Sequence, residues 1–193
     1  MVTKHDQAAS PRSIGVMEFS SIGVGYRVQD QMLKAADVQV VVARTICSGK
    51  YIVILAGGVS EVNSAMAAGL EQAGEALVDH LSLPNVHAGV FPALAQSVML
   101  QESQAQALGV VETFSGASII AAADAAAKAA DVVIFRIHVA MALGGKGFCL
   151  LAGAQHQVEA AVAAAAAEAS RRGLLVSQIV IPRPSRELFA EYI

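Results

Sequence analysis

The first strongly apolar block of the chain, IGVMEF (14–19), is short and rich in branched residues, which predicts a strand. VGYRVQDQMLKAAD then mixes apolar and polar positions as a helix does. VQVVVARTI, a CSG turn and KYIVILAG follow, two apolar runs that read as a hairpin. SEVNSAMAAGLEQAGEALVD predicts an amphipathic helix, because Val62, Met66, Leu70, Ala73 and Leu77 recur at spacings of three and four. Ser60 is placed to cap it. ALVDHLSLP closes the series as a strand. The order β-α-β-β-α-β predicts an α+β split βαβ sandwich of ferredoxin-like type, with helices on one face of an antiparallel sheet. That arrangement hosts many functions and decides none.

The pattern occurs twice. SIGVMEFSS (13–21) is echoed by ALGVVETFS (107–115), and KAADV stands at 34–38 and 128–132, an offset of 94 in both cases. After the second strand the offset becomes 96, pairing Lys50 with Lys146 and ILAGGVSEV with LLAGAQHQV. It reaches 98 where EALVDHLSLPNV meets GLLVSQIVIPRP. Small shifts at turns within a continuous match mark tandem copies of one fold. The expected organisation is a polar, disordered tail (1–12), a first domain (13–95), a linker (96–106) and a second domain (107–193).

Composition narrows the function. Of 193 residues 55% are hydrophobic, and mean hydropathy is +0.54. The most apolar stretches are nevertheless broken by Asp124, Asp131, Arg136 and His138, so no membrane helix is expected. The excess is largely alanine, which suits helices lying close to sheets and large contacts between subunits. With 13 Lys+Arg, net charge −3 and no Trp, nucleic-acid binding is not expected. Nothing at the start reads as a signal peptide, and two cysteines imply a reducing compartment without a structural disulfide.

Several motifs lead nowhere. IGVGYRVQD lacks the third glycine of a dinucleotide fingerprint, with Val28 in its place. CSGK and GGKG lack the Ser or Thr that a phosphate loop needs after its lysine. Glu18 and Glu112 occupy matching positions, either as an acid/base pair or as hydrogen-bond acceptors that each copy needs; repetition favours the second. His80, His87, His138 and His156 have no ligand spacing and read as edge or surface residues. No catalytic constellation is evident, and an enzyme is not expected. Cys149, in FCLLAG, reads as a core residue. Cys47, at the tip of a turn, does not.

The doubled signature (I/L)GV(M/V)E, KAADV, a turn with GK, LAG and a terminal IPRP resembles the bacterial microcompartment shell proteins. Two copies in non-permuted order resemble the tandem-domain class, over residues 13–193. Within it, TICSGKYIVILAGG and GLLVSQIVIPRP look closest to shell proteins of propanediol-utilisation microcompartments. The resemblance implies a homotrimeric pseudohexamer that tiles a shell beside hexameric partners. It implies that the hairpin turns line a central pore: Thr45, Ile46, Cys47, Ser48 and Gly49 in one copy, Met141 to Gly145, with Leu143 and Gly144, in the other. It implies tile-edge roles for Lys34, Lys128 and Arg183; the first copy has PNVH in place of PRP, so half of the edge-arginine positions lack the arginine. It further implies that three Cys47 thiols hold an iron–sulfur cluster, [4Fe-4S], that passes electrons or is itself passed across the shell, with a lumenal redox enzyme as a partner. Two other readings stay open: a metal-free tile whose pore passes small metabolites, and a ligand-sensing regulator of the same fold.

Overall fold

The computed structural model describes residues 12–139 and 143–192. The expected tail lies outside that range except for Arg12, and so do Met141 and Ala142 of the second turn. The first repeat consists of β1 (Ser13–Phe19), α1 (Ile22–Ala35), β2 (Gln39–Ile46), β3 (Lys50–Gly57), α2 (Val59–Ala73) and β4 (Leu77–Pro84). A five-residue helix, α3 (Val90–Leu94), lies where the sequence suggested no element. The second repeat consists of β5 (Ala107–Thr113), α4 (Gly116–Ala129), β6 (Val133–Val139), β7 (Gly147–Gly153), α5 (Gln155–Arg171) and β8 (Leu175–Pro182). Strand orders β2-β3-β1-β4 and β6-β7-β5-β8 match, and all neighbours are antiparallel. The chain is therefore the expected pair of α+β, β-α-β-β-α-β units.

Every residue of β1 is buried, which explains why its sequence does not alternate: the first sheet is covered on both sides. Met17, Phe19, Tyr51, Val53 and Leu55 face Val28 and Met32 of α1 and Val62 and Met66 of α2. The opposite side, with Val16, Ile52 and Ile54, packs into the second repeat. Each such fully buried side chain stabilises by about 1.5–3 kcal/mol. Ser21 and Ser115 cap α1 and α4, their hydroxyls accepting from the N–H groups of Val24 and Ser118 at 3.4 and 3.0 Å. The α2 expectation needs correction. Gly58, not Ser60, is the N-cap residue, and Ser60 lies inside the first turn. The helix stops at Gly74, whose φ of 52° suits glycine, so Leu77 belongs to β4 and Leu70 is exposed. The stripe that packs is smaller than expected: Val62, Ala65, Met66, Gly69 and Ala73.

The two cores solve one packing problem in opposite ways. In the first repeat Tyr51 of β3 fills the space beneath Gly25 of α1; a Cβ on Gly25 would lie 2.5 Å from the tyrosine ring. In the second, the matching residues are Gly147 on β7 and Ile119 on α4, and a Cβ on Gly147 would lie 2.6 Å from the isoleucine. The large residue has moved from strand to helix while total volume is roughly kept.

The repeats meet head to tail. The outer side of β1, β3 and β4 lies against the start of α4. Glu18, fully buried, accepts from the Ala117 N–H at 3.0 Å and from Lys50 Nζ at 3.4 Å. Burial pushes its carboxyl above the usual range, while the Ala117 bond and Lys50 pull it back. Asp79, beside it on β4, accepts from Ser115 Oγ at 2.6 Å and from Arg172 at 2.7 Å. Asp124 of α4 accepts from the His87 N–H at 2.7 Å and from Lys128 at 2.5 Å.

Two outcomes are expected from these contacts. Glu18→Ala leaves a buried N–H and a partly buried lysine without their acceptor, and urea denaturation should show a loss of about 3 kcal/mol. Gly25→Ile should cost at least about 2 kcal/mol by overpacking against Tyr51, and adding Tyr51→Gly should recover part of that loss, because the pair then copies the second repeat. Additive losses in the double variant would contradict the swap.

Candidate functional site

β2 ends at buried Ile46, and the chain reverses through a single 3-10 turn, Cys47–Gly49. Ser48 and Gly49 hold left-handed φ values of 63° and 71°. That conformation suits glycine and is uncommon for serine, and it makes the reversal tight. Thr45, Ser48 and Gly49 are exposed, and Cys47 is half-buried. The second turn repeats this backbone. Gly144 and Gly145 have φ of 63° and 91°, so Leu143 stands where Cys47 stands in the first repeat. Met141 and Ala142, the remaining residues of that expected turn, lie outside the described residues. The Lys146 N–H donates to the Leu143 carbonyl at 3.3 Å.

Each turn leads into a lysine held by a carboxylate of the central strand. Lys50 pairs with Glu18, and Lys146 pairs with Glu112 at 3.0 Å. Glu112 also accepts from Ser177 Oγ at 3.0 Å, and the two bonds hold its carboxyl below the usual range. Both glutamates are thus acceptors of hydrogen bonds, but only Glu112 serves its own copy alone; Glu18 also accepts from the Ala117 N–H of the second repeat, so the expectation of the same local bond in each copy holds for the lysine and not for the backbone donor. The Lys50 ammonium ends 3.3 Å from where a Cβ on Gly145 would be. The two turns are therefore neighbours at one end of the molecule, and Gly145 leaves room for the lysine.

The two cysteines differ in kind. Cys149 lies inside β7, fully buried, and burial pushes its thiol up to about 12. Cys47 is not shut in a core. Among the described residues no group of three or more His, Cys, Asp or Glu side chains is arranged to hold a metal ion. The described residues of one chain therefore offer one accessible thiol, Cys47, with no second ligand grouped beside it.

The expected edge residues lie elsewhere and have local partners. Lys34 bonds Asp30 at 2.6 Å on the exposed side of α1. Lys128 makes the matching bond to Asp124, but that carboxylate is buried and also tied to His87 of the first repeat. Arg183 is exposed with φ of 47°, and its N–H donates to the Gln106 carbonyl at 3.0 Å. Its counterpart Asn85 has φ of 52°, a conformation asparagine accepts more readily. Arg183 borders an open cleft of about 810 Å³ with Glu102, Arg186 and Phe189. His138 is half-buried and stacks on Phe148, with ring centroids 5.2 Å apart. The Asp79–Arg172 bond joins residues 93 apart and had no signal in the sequence.

The BMC domain family model matches residues 13–86 and again 107–184. The bacterial microcompartment shell protein PduT of Citrobacter freundii is 43% identical over 94% of this chain and 98% of its own length. The carboxysome assembly protein CcmO of a Synechococcus strain is 31% identical over 95% of this chain and 70% of its own. A crystal structure of a microcompartment protein from Desulfitobacterium hafniense covers 93% of this chain and 98% of its own, with 44% identity and a TM-score of 0.86. A fused permuted shell protein of the RMM microcompartment shares the fold at 22% identity, TM-score 0.62, over 82% of this chain and 83% of its own. The chain belongs to the BMC-domain family of bacterial microcompartment shell proteins, as a member with two copies of the domain in tandem.

Proposed function

We propose that the chain is a facet tile of a microcompartment shell, a homotrimeric pseudohexamer whose three Cys47 turns surround a central pore and hold one [4Fe-4S] cluster. The observation that carries this reading is the head-to-tail contact between the repeats. Unlike faces meet, so the same contact made again between chains continues in one rotational sense, and it closes as a ring of three chains where the rotation per repeat is a sixth of a turn. Lys50 reaching Gly145 sets both turns at the same end of the contact, so ring closure gathers the turns of every chain around one axis.

The donor set fits such a cluster in the assembly and not in one chain. Iron–sulfur clusters take cysteine thiolates, usually four. Three chains supply three, and the remaining iron is left to a small external ligand. Leu143 in the matching turn adds none. When bound, the cluster supplies one-electron chemistry, or is itself the cargo. The chain's own part is to hold its thiol on a tight turn among exposed Thr45, Ser48 and Gly49, with Leu143, Gly144 and Gly145 alongside. Lys34, Lys128 and Arg183 then serve lateral contacts with hexameric tiles, and a redox enzyme inside the shell is the natural electron partner.

Protein purified without oxygen should sediment as a trimer and contain about four irons and four acid-labile sulfides per three chains. On reduction it should give the paramagnetic resonance of an iron–sulfur centre. Cys47→Ala should remain a trimer with no iron. Equal iron in both proteins, or none after anaerobic reconstitution, would sink the cluster and leave a metal-free pore for small metabolites. In the cluster-free protein a thiol reagent should titrate one cysteine per chain, and the second only after unfolding, because Cys149 is buried and resists ionisation.

A further inference from the structure

One surface seam of the chain carries side chains that its twin lacks. The Asn63–Ser82 bond, 2.9 Å long, holds α2 along the helix side of β4. Seven residues further on, a rise of about 10.5 Å brings Leu70 back over the same strand, while Val78 lies about 13 Å from Ser82 in the same direction. Leu70 and Val78 are 39% and 47% exposed. Across the free edge of β4, Arg172 of the second repeat bonds the His80 carbonyl, and close by the Phe114 N–H bonds the Leu174 carbonyl. Phe114 is 59% exposed. Glu71 and Glu75, both exposed, flank this apolar strip. At the matching positions of the other repeat, Leu70, Glu71, Glu75 and Phe114 become Ala166, Ala167, Gly173 and Ser20. The apolar residues and the carboxylates thus stand together once per chain, as Cys47 does.

Resting on the tile reading above, we propose that this seam docks a basic partner protein, one whose surface has an apolar centre ringed by lysine or arginine. The rim sets the charge of the occupant. No lysine or arginine occurs between Lys50 and Lys128. Arg27 bonds the Gln72 carbonyl on the far side of α2, and Arg172 is held by Asp79, so among the described residues Glu71 and Glu75 face solvent without a cation. An apolar centre with a rim of one sign attracts the opposite charge and rejects its own. Addition of a strand is excluded, because the His80 N–H and carbonyl on the free edge already bond Asp79 at 2.8 Å and Arg172 at 3.2 Å. The ring leaves the seam open. The twin of α2 is α5, which packs on α4, β5, β7 and β8 of its own repeat and meets the first repeat through Arg172, just beyond its end. The seam also lies at the end of the sheet that carries the Cys47 turn. Phe19 pairs with both Tyr51 and Leu77, so β1 alone separates β4 from β3, about 5 Å from each. A partner seated there stands beside the pore.

Calorimetric titration of the cluster-free protein with a basic cytochrome c tests this, with sedimentation and circular dichroism on the same samples. Wild type should bind the cytochrome at low ionic strength and release it as salt is added. The same cytochrome with its lysines acetylated should not bind. Glu71→Gln with Glu75→Gln should raise Kd at least about fivefold. Leu70→Ala with Phe114→Ser, which installs the residues of the other repeat and so keeps the fold, should raise Kd at least about tenfold. Glu159→Gln with Glu187→Gln removes the same charge elsewhere and should leave Kd unchanged. Absence of binding by wild type, equal binding by the seam variants, or an equal loss in the Glu159 and Glu187 variant would overturn the seam. Each of these leaves the tile reading standing if the protein sediments as a trimer. A monomer that binds through Leu70, Glu71, Glu75 and Phe114 would support the seam and overturn the ring.

Discussion

An antiparallel sheet with two helices on one face has a second face to cover, and that constraint organises this molecule. The chain covers the second face of its first sheet with α4 of the following repeat, and sets two carboxylates there. Glu18 and Asp79 meet the first turn of α4, where donors lack intrahelical acceptors and the helix dipole favours negative charge. A buried carboxylate accepts few other positions. Sliding α4 by one residue would strand Glu18 and Lys50 together, a penalty larger than the packing gained. The polar bonds fix the register, and the apolar contacts around Val16, Ile52 and Ile54 supply most of the stabilisation. The register in turn fixes the neighbouring turns, because Lys50 both holds Glu18 and lies over Gly145.

Duplication within one chain lets the copies differ where differences help. Gly25 with Tyr51, and Ile119 with Gly147, fill the same layer from opposite sides. Asn85 takes a left-handed conformation easily, whereas Arg183 holds it with a backbone bond to Gln106. Ser48 takes a conformation that its twin Gly144 adopts freely. These positions pair strain or bulk in one copy with relief in the other, so the common backbone survives although few side chains are shared.

Most of the fold was legible because apolar periods and the doubled motifs agreed. IGVMEF, KAADV and LAG mark strand, helix end and strand in both copies, and Ser21 and Ser115 cap α1 and α4 alike. The misplaced start of α2 has a simple cause: β3 runs to Gly57, Gly58 turns the chain, and the better capping residue Ser60 arrives too late. Its end was misplaced because Leu77 continues the helical period by chance, while Gly74 breaks it. α3 was missed because five residues containing a proline carry no period. At the site, the turn and its unequal cysteine were visible in the alignment of the copies. The partners of Glu18 and Asp79 were not. A carboxylate's identity says that it needs donors, and only the fold says that those of Glu18 and Asp79 come from the second repeat, at separations of 99 for Ala117, 36 for Ser115 and 93 for Arg172.

The unequal turns bear on the proposed chemistry. Six identical domains around an axis would place a cysteine in every turn or in none. Six thiols exceed what one small cluster can ligate, and the surplus would be open to disulfide formation across the pore. In the proposed trimer a fused pair would lower the symmetry to threefold, so that one turn carries Cys47 while its neighbour carries Leu143. The leucine occupies the place of the second thiol with apolar bulk, and the glycines after it leave room for Lys50. Each lysine at this end is already paired, Lys50 with Glu18 and Lys146 with Glu112, so the proposed ring would bring matched cations and carboxylates to its axis. A negatively charged cluster proposed there would be held by its thiolate bonds, with little help from the surrounding field, and its occupancy would depend on Cys47 far more than on ionic strength.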